Sequence, residues 1–241
     1  MTASAPGFHV PKYQAITAYL NGLTDTLGEG SPIPPERELA ATFGVSRVTV
    51  RQAIQELLVA GRLRRQGRGT VVAGPKFRQP LSLASYTEGV RKAGHRPGRS
   101  LVSRQQLPAD RQLAEALGIE LEEPVIRVER VLLVDDEALG LEDTYLPHRR
   151  FPRLMDDFDP TSSLYDYIGR CGISMAKATE QIETVLASPR EAKLLNTNPA
   201  LPMLLLNRVS IDIAGTPVER VRSLFRGDRF SLYATLTADL G

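Results

Sequence analysis

The sequence predicts an α+β protein of two unlike domains, and two observations carry this prediction. Apolar side chains recur at helical spacing over residues 12–61, whereas the chain beyond residue 100 alternates long strand-like runs with short helices. Charge divides the chain in the same way: residues 1–78 hold 10 Lys and Arg against 5 Asp and Glu, and the remainder holds 20 against 23. The basic N-terminal domain therefore favours an anionic partner.

Composition excludes several classes of protein. A hydrophobic fraction of 42% supports a folded core, and no apolar run approaches the ~20 residues of a membrane span. The N-terminus lacks the pattern of a secretory signal, so we expect a cytoplasmic protein without membrane contact. The single cysteine, Cys171, excludes an internal disulfide and a multi-cysteine zinc site. We expect neither a metal nor a cofactor.

Three helices and a hairpin are predicted in the N-terminal domain. The first helix covers residues 12–27, and the second runs from Glu36 to a C-cap at Gly44. The third follows an N-cap at Ser46 and stops at Gly61, after which the pattern alternates around a glycine-rich turn. This order of elements is that of a winged helix-turn-helix, which we assign to residues 1–74.

The third helix explains why six arginines crowd into residues 44–72. Its apolar stripe must face the core, and it consists of Val50, Ile54, Leu57 and Leu58. The exposed N-terminal half then presents Arg47, Thr49, Arg51 and Gln52. That half of a recognition helix reads base edges in the major groove, where arginine matches guanine with two hydrogen bonds.

The hairpin carries further arginines, namely Arg64, Arg65 and Arg68, beside two glycines. Such a wing suits phosphates or a minor groove, because glycine lets the backbone approach closely. The alternative is a solvated basic face on an ordinary helical domain. The combination of capped helices, glycine stops and a basic hairpin favours binding to DNA.

A linker is predicted at residues 75–82 and an antiparallel-sheet α+β domain at residues 83–241. Within that domain we expect helices at 107–117 and 163–169, a strand at 180–186 and a helix opened by a capping box at Ser188. Hairpins are expected around Asp135–Glu137 and around Gly215.

Two blocks of this domain share their spacing. Pro124, Arg130 and Glu142 follow one helix, and Pro202, Arg208 and Glu219 follow another at nearly the same intervals. A repeated unit of helix and hairpin predicts a sheet with pseudo-twofold symmetry.

Arg130 lies on an apolar strand face, and the hairpin loop would place Glu142 opposite it. Two interpretations stay open. The pair is either a buried ion pair that serves the fold or the cation and carboxylate of a pocket for a polar small molecule.

The residues IPPERELAATFGVSRVTVRQAIQELL, from Ile33 to Leu58, resemble the N-terminal domain of GntR-type bacterial transcriptional regulators. The resemblance implies that these residues contact DNA: Arg37, Ser46, Arg47, Thr49, Arg51, Gln66 and Gly67. Pro35 stands where the family often has a capping serine, so we expect a small loss of capping.

The segments LASYTEGVRKAG, RVERVLLVDDEALGLEDTYLP, SSLYDYI and PVERVRSLFRGDRF resemble the HutC-type, or UTRA, effector domain, which is akin to the chorismate lyase fold. The resemblance implies an effector site made from Tyr86, Thr87, Arg130, Glu142, Ser163, Tyr165, Glu219 and Phe225. Members that bind phosphosugars carry a second arginine where this chain has Leu132, and usually a tyrosine in place of Phe225. With Arg130 alone, the site predicts a singly charged or neutral effector rather than a sugar phosphate, unless Arg222 substitutes.

Together these features predict a metabolite-responsive regulator, a repressor in most members of this family. It would bind a palindromic operator in double-stranded DNA as a homodimer, since one domain covers only a half-site. The alternatives are a chorismate lyase-like enzyme and an architectural protein that coats DNA without sequence choice. We find no nucleophile with its base, no metal cluster and no phosphate loop in the sequence, so we expect no enzyme.

Overall fold

The computed structural model describes residues 12–67 and 69–236. The predicted DNA contact of Arg68 therefore lies outside the described residues. The chain divides into two compact units, with the boundary between Lys76 and Phe77.

The first unit contains helices α1 (Lys12–Thr26), α2 (Glu36–Phe43) and α3 (Arg47–Val59), followed by strands β1 (Leu63–Gln66) and β2 (Gly69–Val72). The two strands form an antiparallel hairpin. One core joins all three helices to this hairpin, and its buried residues include Ile16, Leu20, Leu39, Val50, Ile54, Leu57, Leu58, Leu63 and Val72. The predicted winged helix-turn-helix is confirmed, with the apolar stripe of α3 buried as expected.

The caps of α2 and α3 follow the sequence signals. Gly44 ends α2 in the left-handed conformation at φ 58°, and the Ser46 hydroxyl accepts a hydrogen bond from the Thr49 backbone nitrogen at 3.2 Å. Pro35 occupies the N-cap of α2 and forms no side-chain cap bond. The N-terminal end of α2 thus lacks the capping that a serine would supply.

The second unit is built on one six-stranded antiparallel sheet. Its strands are β4 (Pro97–Pro108), β5 (Pro124–Val134), β6 (Glu137–Pro147), β7 (Met175–Leu186), β8 (Pro202–Asp212) and β9 (Pro217–Arg226). Their order in the sheet is β4-β5-β6-β9-β8-β7. Helix α5 (Arg111–Leu117) connects β4 to β5, and α8 (Pro189–Leu194) connects β7 to β8. Each half is therefore strand, helix, hairpin, which confirms the predicted repeat about the β6–β9 contact.

The remaining elements lie around this sheet. They are β3 (Phe77–Pro80), α4 (Tyr86–Lys92), the 3₁₀ turn His148–Arg150, α6 (Leu154–Asp157), α7 (Leu164–Arg170) and β10 (Phe230–Tyr233). Helices α5 and α8 pack on one face of the sheet, while α4, α6, α7 and the β3–β10 pair pack on the other.

The β5–β6 hairpin places Glu142 opposite Arg130, as the sequence predicted, but its turn is shorter than the three-residue loop that we expected. Its turn has two residues, Asp135 and Asp136, which both have positive φ. A register shift beyond Leu132 then adds one residue to β6. The short turn and the bulge together restore the pairing that a three-residue loop would have given.

Three segments differ from expectation. Half of the predicted linker is strand β3, which pairs in parallel with β10 because Phe77 and Phe230 are both buried against the sheet. Strand β4 was not predicted, and it extends to Pro108, so the helix predicted at 107–117 begins only at Arg111, after the Asp110 N-cap. The predicted strand at 180–186 begins earlier, at Met175.

Candidate functional site

A concave surface of the first unit joins the start of α2, the first half of α3 and the hairpin. Five of the predicted DNA-contacting residues line it, namely Arg37, Arg47, Arg51, Arg65 and Gln66. Helix α3 presents Arg47 and Arg51 one turn apart because its opposite side is buried in the core. The same fold therefore buries the apolar stripe and exposes the guanidinium groups.

Glu36 pairs with two arginines of this surface. Its carboxylate accepts hydrogen bonds from Arg51 Nη2 at 2.8 Å and Nε at 3.2 Å, and it lies 3.5 Å from Arg47 Nη2. The Arg51 guanidinium is the largest cause that lowers the pKa of Glu36. Both arginine side chains remain more than half exposed. Exposed pairs of this kind are weak, so phosphates or bases can replace Glu36 as their partner.

The hairpin and the caps account for the other predicted DNA contacts. Arg65 Nη1 donates to the Thr70 hydroxyl at 2.7 Å, and Gly67 takes the left-handed conformation at φ 57° in the turn. Ser46 is the N-cap of α3, and its hydroxyl lies 3.0 Å from that of Thr49. Gln52 is exposed on α3 but does not line the concave surface. The contacts of all these residues with DNA stay predictions.

The second unit encloses a cavity of about 70 Å³ on the face of the sheet away from α5 and α8. Of the eight residues predicted for the effector site, seven line it: Tyr86, Arg130, Glu142, Ser163, Tyr165, Glu219 and Phe225. Thr87 is buried on α4 and does not line the cavity. The sheet register and the α4 and α7 caps thus bring together residues that lie up to 139 positions apart.

Arg130 and Glu142 satisfy both interpretations of their pairing, since they form an ion pair and also line the cavity. Arg130 is 1% exposed; one terminal nitrogen binds Glu142, and the other donates to the Ser162 carbonyl at 3.2 Å. Its Nε is buried and has no hydrogen-bond partner among the described residues.

A second charged group comes from the other half of the sheet. Arg208 binds both oxygens of Glu180, at 3.0 and 2.8 Å, and donates to the Ser82 carbonyl at 3.2 Å. The Tyr165 hydroxyl donates to Glu219 at 2.8 Å, and Ser210 donates to the same oxygen at 2.9 Å. The predicted correspondence of Arg130 with Arg208 holds in position, but Arg208 takes its carboxylate from β7 rather than from Glu219.

Glu219 is fully buried, and burial raises its pKa to about 7. The bonds from Tyr165 and Ser210 act against this shift, and the nearby Glu142 carboxylate adds to it. Its second oxygen has no partner among the described residues. Near neutral pH this carboxyl therefore exists in both protonation states and can accept or donate a hydrogen bond.

Sequence reasoning missed Arg99, and with it the charge of the cavity. Arg99 lies on β4 directly opposite Leu132, and its guanidinium carbon is 5.4 Å from the centre of the Tyr86 ring. The premise of a cavity with one arginine is therefore wrong, since Arg99, Arg130 and Arg208 all line it. No signal at Arg99 itself could have shown this, because its position depends on the register of a strand that was not predicted.

The alternative that Arg222 supplies the second arginine of the cavity is wrong. Arg222 lies on the other face of the sheet, where it binds Glu191 at 2.8 Å.

Over residues 12–67 and 69–236, no group of three or more His, Cys, Asp or Glu side chains is placed to hold a metal ion. No helix within these ranges is long and apolar enough to cross a membrane.

Family models match most of the chain. The model for bacterial regulatory proteins of the gntR family matches residues 13–72, and the UTRA domain model matches residues 92–231. The chain is 46% identical over 238 residues to the HTH-type transcriptional repressor PhnF of Mycolicibacterium smegmatis. The aligned region covers 99% of this chain and 97% of PhnF. It is 36% identical over 203 residues to the HTH-type transcriptional repressor NagR of Bacillus subtilis, with 83% of each covered.

Solved structures agree with these matches. The crystal structure of PhnF from Mycobacterium smegmatis superposes with a TM-score of 0.69, covering 93% of this chain and all of that one. The separate structure of its effector domain gives a TM-score of 0.66 over 67% of this chain.

Proposed function

Because the chain belongs to the GntR family of bacterial regulatory proteins and carries a UTRA domain, we propose that it is a repressor whose hold on its operator depends on a small-molecule effector. It is a DNA-binding transcriptional regulator rather than a member of an enzyme family. The finer proposal is that it acts in the cytoplasm, as a homodimer on a palindromic site. Its relatives PhnF and NagR are both named as repressors, which supports repression rather than activation of transcription.

The observation that carries the proposal is the arginine-lined surface between α3 and the hairpin. Arg47 and Arg51 lie on the half of α3 that a recognition helix inserts into the major groove, and Arg65 lies on the adjoining wing. A guanidinium can hydrogen-bond two acceptors of guanine at once. One such surface covers a half-site, and a twofold dimer matches an inverted repeat.

The placement of the cavity supports control by an effector. The chain enters the second unit at Phe77, and the segment that follows lines the cavity with Gln79, Ser85 and Tyr86. Arg208 also binds the carbonyl of Ser82 in this segment. A ligand in the cavity would therefore contact the stretch of chain that follows the DNA-binding unit. If it binds one conformation of that stretch better, it shifts the equilibrium by its difference in affinity.

The expectation that the effector is not a sugar phosphate loses its argument, because it depended on Arg130 being the cavity's single arginine.

The test is fluorescence anisotropy with a labelled duplex from upstream of the chain's own gene. We expect Arg51→Ala to weaken binding by roughly five- to 150-fold, the loss typical of one arginine–guanine contact. Arg111→Ala is the matched control, because Arg111 is an exposed arginine on α5 of the other unit. Unchanged affinity of the Arg51 variant would remove the assignment of α3 as the recognition helix.

A random duplex of equal length separates the regulator from an architectural protein. A regulator binds its operator far more tightly than random DNA at the same salt concentration, whereas a coating protein barely distinguishes the two.

A further inference from the structure

We propose that Arg99 and Arg130 together hold an oxyanion on the effector, with Arg99 supplying from β4 the guanidinium that Leu132 does not supply from β5. This inference rests on the proposed function, because it assigns the chemistry of the same effector cavity. It makes Arg99 the residue that determines whether the cavity prefers an anionic or a neutral molecule.

The register of the sheet places Arg99 beside Arg130. Arg99 is paired with Leu132, and Leu101 is paired with Arg130, so the two arginines are diagonal neighbours on adjacent strands. Diagonal neighbours on one face lie within reach of each other's long side chains. Both line the cavity. Burial is the largest cause of the shift in the pKa of Arg99, and it lowers this pKa. The Glu142 charge raises the pKa, and the nearby Arg130 charge lowers it.

The arginines that line the cavity are not all paired with carboxylates. Arg130 is paired with Glu142, and Arg208 is paired with Glu180. The Arg99 side chain forms no hydrogen bond or ion pair with any residue that the structure describes, and its guanidinium lies over the Tyr86 ring. Glu219, the remaining carboxyl, is part-protonated near pH 7. The cavity therefore holds more positive than negative charge and favours an anion.

Both arginines also have a hydrogen-bond donor that no described residue accepts from. The Nε–H groups of Arg99 and Arg130 are both buried without a partner among residues 12–67 and 69–236. Buried N–H groups are costly to leave unsatisfied, and an oxyanion accepts from two guanidinium groups at once. The cavity of about 70 Å³ is several times the roughly 10–15 Å³ that one water needs, so it has room for a polyatomic anion.

The experiment is isothermal titration of the full-length protein with inorganic phosphate, acetate and glucose, which separate a phosphoryl group, a carboxylate and a neutral sugar. We expect one of the two anions to bind and glucose not to bind. Arg99→Leu should weaken that anion about tenfold or more, because it removes one of two guanidinium groups. Arg222→Leu is the matched control, since Arg222 is a paired arginine on the opposite face of the same sheet, and it should leave the affinity within about twofold.

A swap variant distinguishes binding from a general disturbance of the cavity. Arg99→Leu combined with Leu132→Arg moves the guanidinium across the strand pair while it keeps the side-chain inventory. We expect this double variant to recover most of the lost anion affinity, provided that its thermal unfolding shows a folded protein. If it does not fold, Arg99→Lys replaces it, and an affinity between those of the wild type and Arg99→Leu is expected.

The inference is overturned if neither anion binds the wild-type protein, if Arg99→Leu has no effect, or if Arg222→Leu weakens binding equally. Operator affinity measured without added anion keeps this outcome apart from failure of the proposed function. A wild-type protein that binds the operator but neither anion would overturn this inference alone, whereas a wild-type protein that does not bind the operator would overturn the proposed function.

Discussion

Arginine–carboxylate pairs occur in both units of this protein, and they differ in burial. In the first unit, Glu36 holds Arg47 and Arg51 in pairs whose arginines are more than half exposed. In the second unit, Arg130 is 1% exposed and its pair with Glu142 lines a cavity. Water and salt weaken the first kind of pair and leave the second kind strong. Exposed pairs can therefore exchange partners for DNA, whereas the buried pair holds a pocket in shape.

Removing one member of the buried pair should have the largest effect. Arg130→Leu leaves Glu142 without its partner, and breaking a buried pair in this way costs about 3–5 kcal/mol. Urea denaturation followed by circular dichroism measures the loss of unfolding free energy. The control is the double variant with Glu142→Leu, which removes both charges and should recover much of the loss. With Glu142→Leu measured as well, single-variant losses that simply add up in the double variant would mean that the pair contributes no coupling.

The protonation of Glu219 sharpens the contrast through pH. Its pKa of about 7 lies above the ordinary value of 4.5, so between these values the folded state holds a proton that the unfolded state has released. The free energy of unfolding therefore falls as pH rises from about 4.5 to 7, by on the order of 3 kcal/mol from this group. Glu142, Arg208 and Tyr165 are the ionisable groups that face this carboxyl.

Glu219→Gln cannot ionise, so its unfolding free energy should fall less steeply than that of the wild type over this range. Urea denaturation at pH 5, 6, 7 and 8 measures both slopes. Parallel slopes for the two proteins would show that Glu219 titrates at its ordinary pKa in the folded state.

One methyl group added beside the cavity should destabilise the protein more than one methyl group added in the first unit. A methyl group on Gly140 would lie 2.6 and 2.7 Å from two ring carbons of Phe225, which stacks on Phe230 with centroids 4.0 Å apart. Gly140→Ala should therefore cost about 1–3 kcal/mol in thermal unfolding. In Gly74→Ala the new methyl meets the carboxylate end of the Glu29 side chain, which can turn away, so we expect less than about 0.5 kcal/mol. Equal losses in the two variants would contradict the contrast.

The exposed pair should give the smallest effect. Glu36→Gln releases Arg47 and Arg51 and removes a negative charge from the concave surface, so operator affinity should rise roughly two- to fivefold at low salt. Anisotropy at two salt concentrations measures the change, which should shrink as salt is raised. Glu115→Gln on α5 makes the same charge change on an exposed residue of the other unit and should leave affinity unaltered. A loss of affinity in Glu36→Gln would mean that this carboxylate positions the arginines for DNA.

The sequence by itself determined the elements whose signals are local. Helix α3 follows from an apolar stripe at helical spacing between Ser46 and Gly61, and α8 follows from the Ser188–Glu191 capping box, which the structure contains. The β5–β6 and β8–β9 hairpins follow from alternation, and their nearly equal spacing predicted the symmetry of the sheet. Each of these signals depends on residues only a few positions apart, so periodicity and capping report them directly.

Only the tertiary structure decided which charges meet at the cavity. Arg99 faces it because β4 pairs with β5 in one register, and a shift of one residue would turn its side chain to the other face. Arg222 is excluded from it by the same alternation along β9. Strand β3 became part of the second unit because β10, more than 140 residues later, offered it a partner. Such pairings join distant segments through the sheet, and no local pattern in the chain records them.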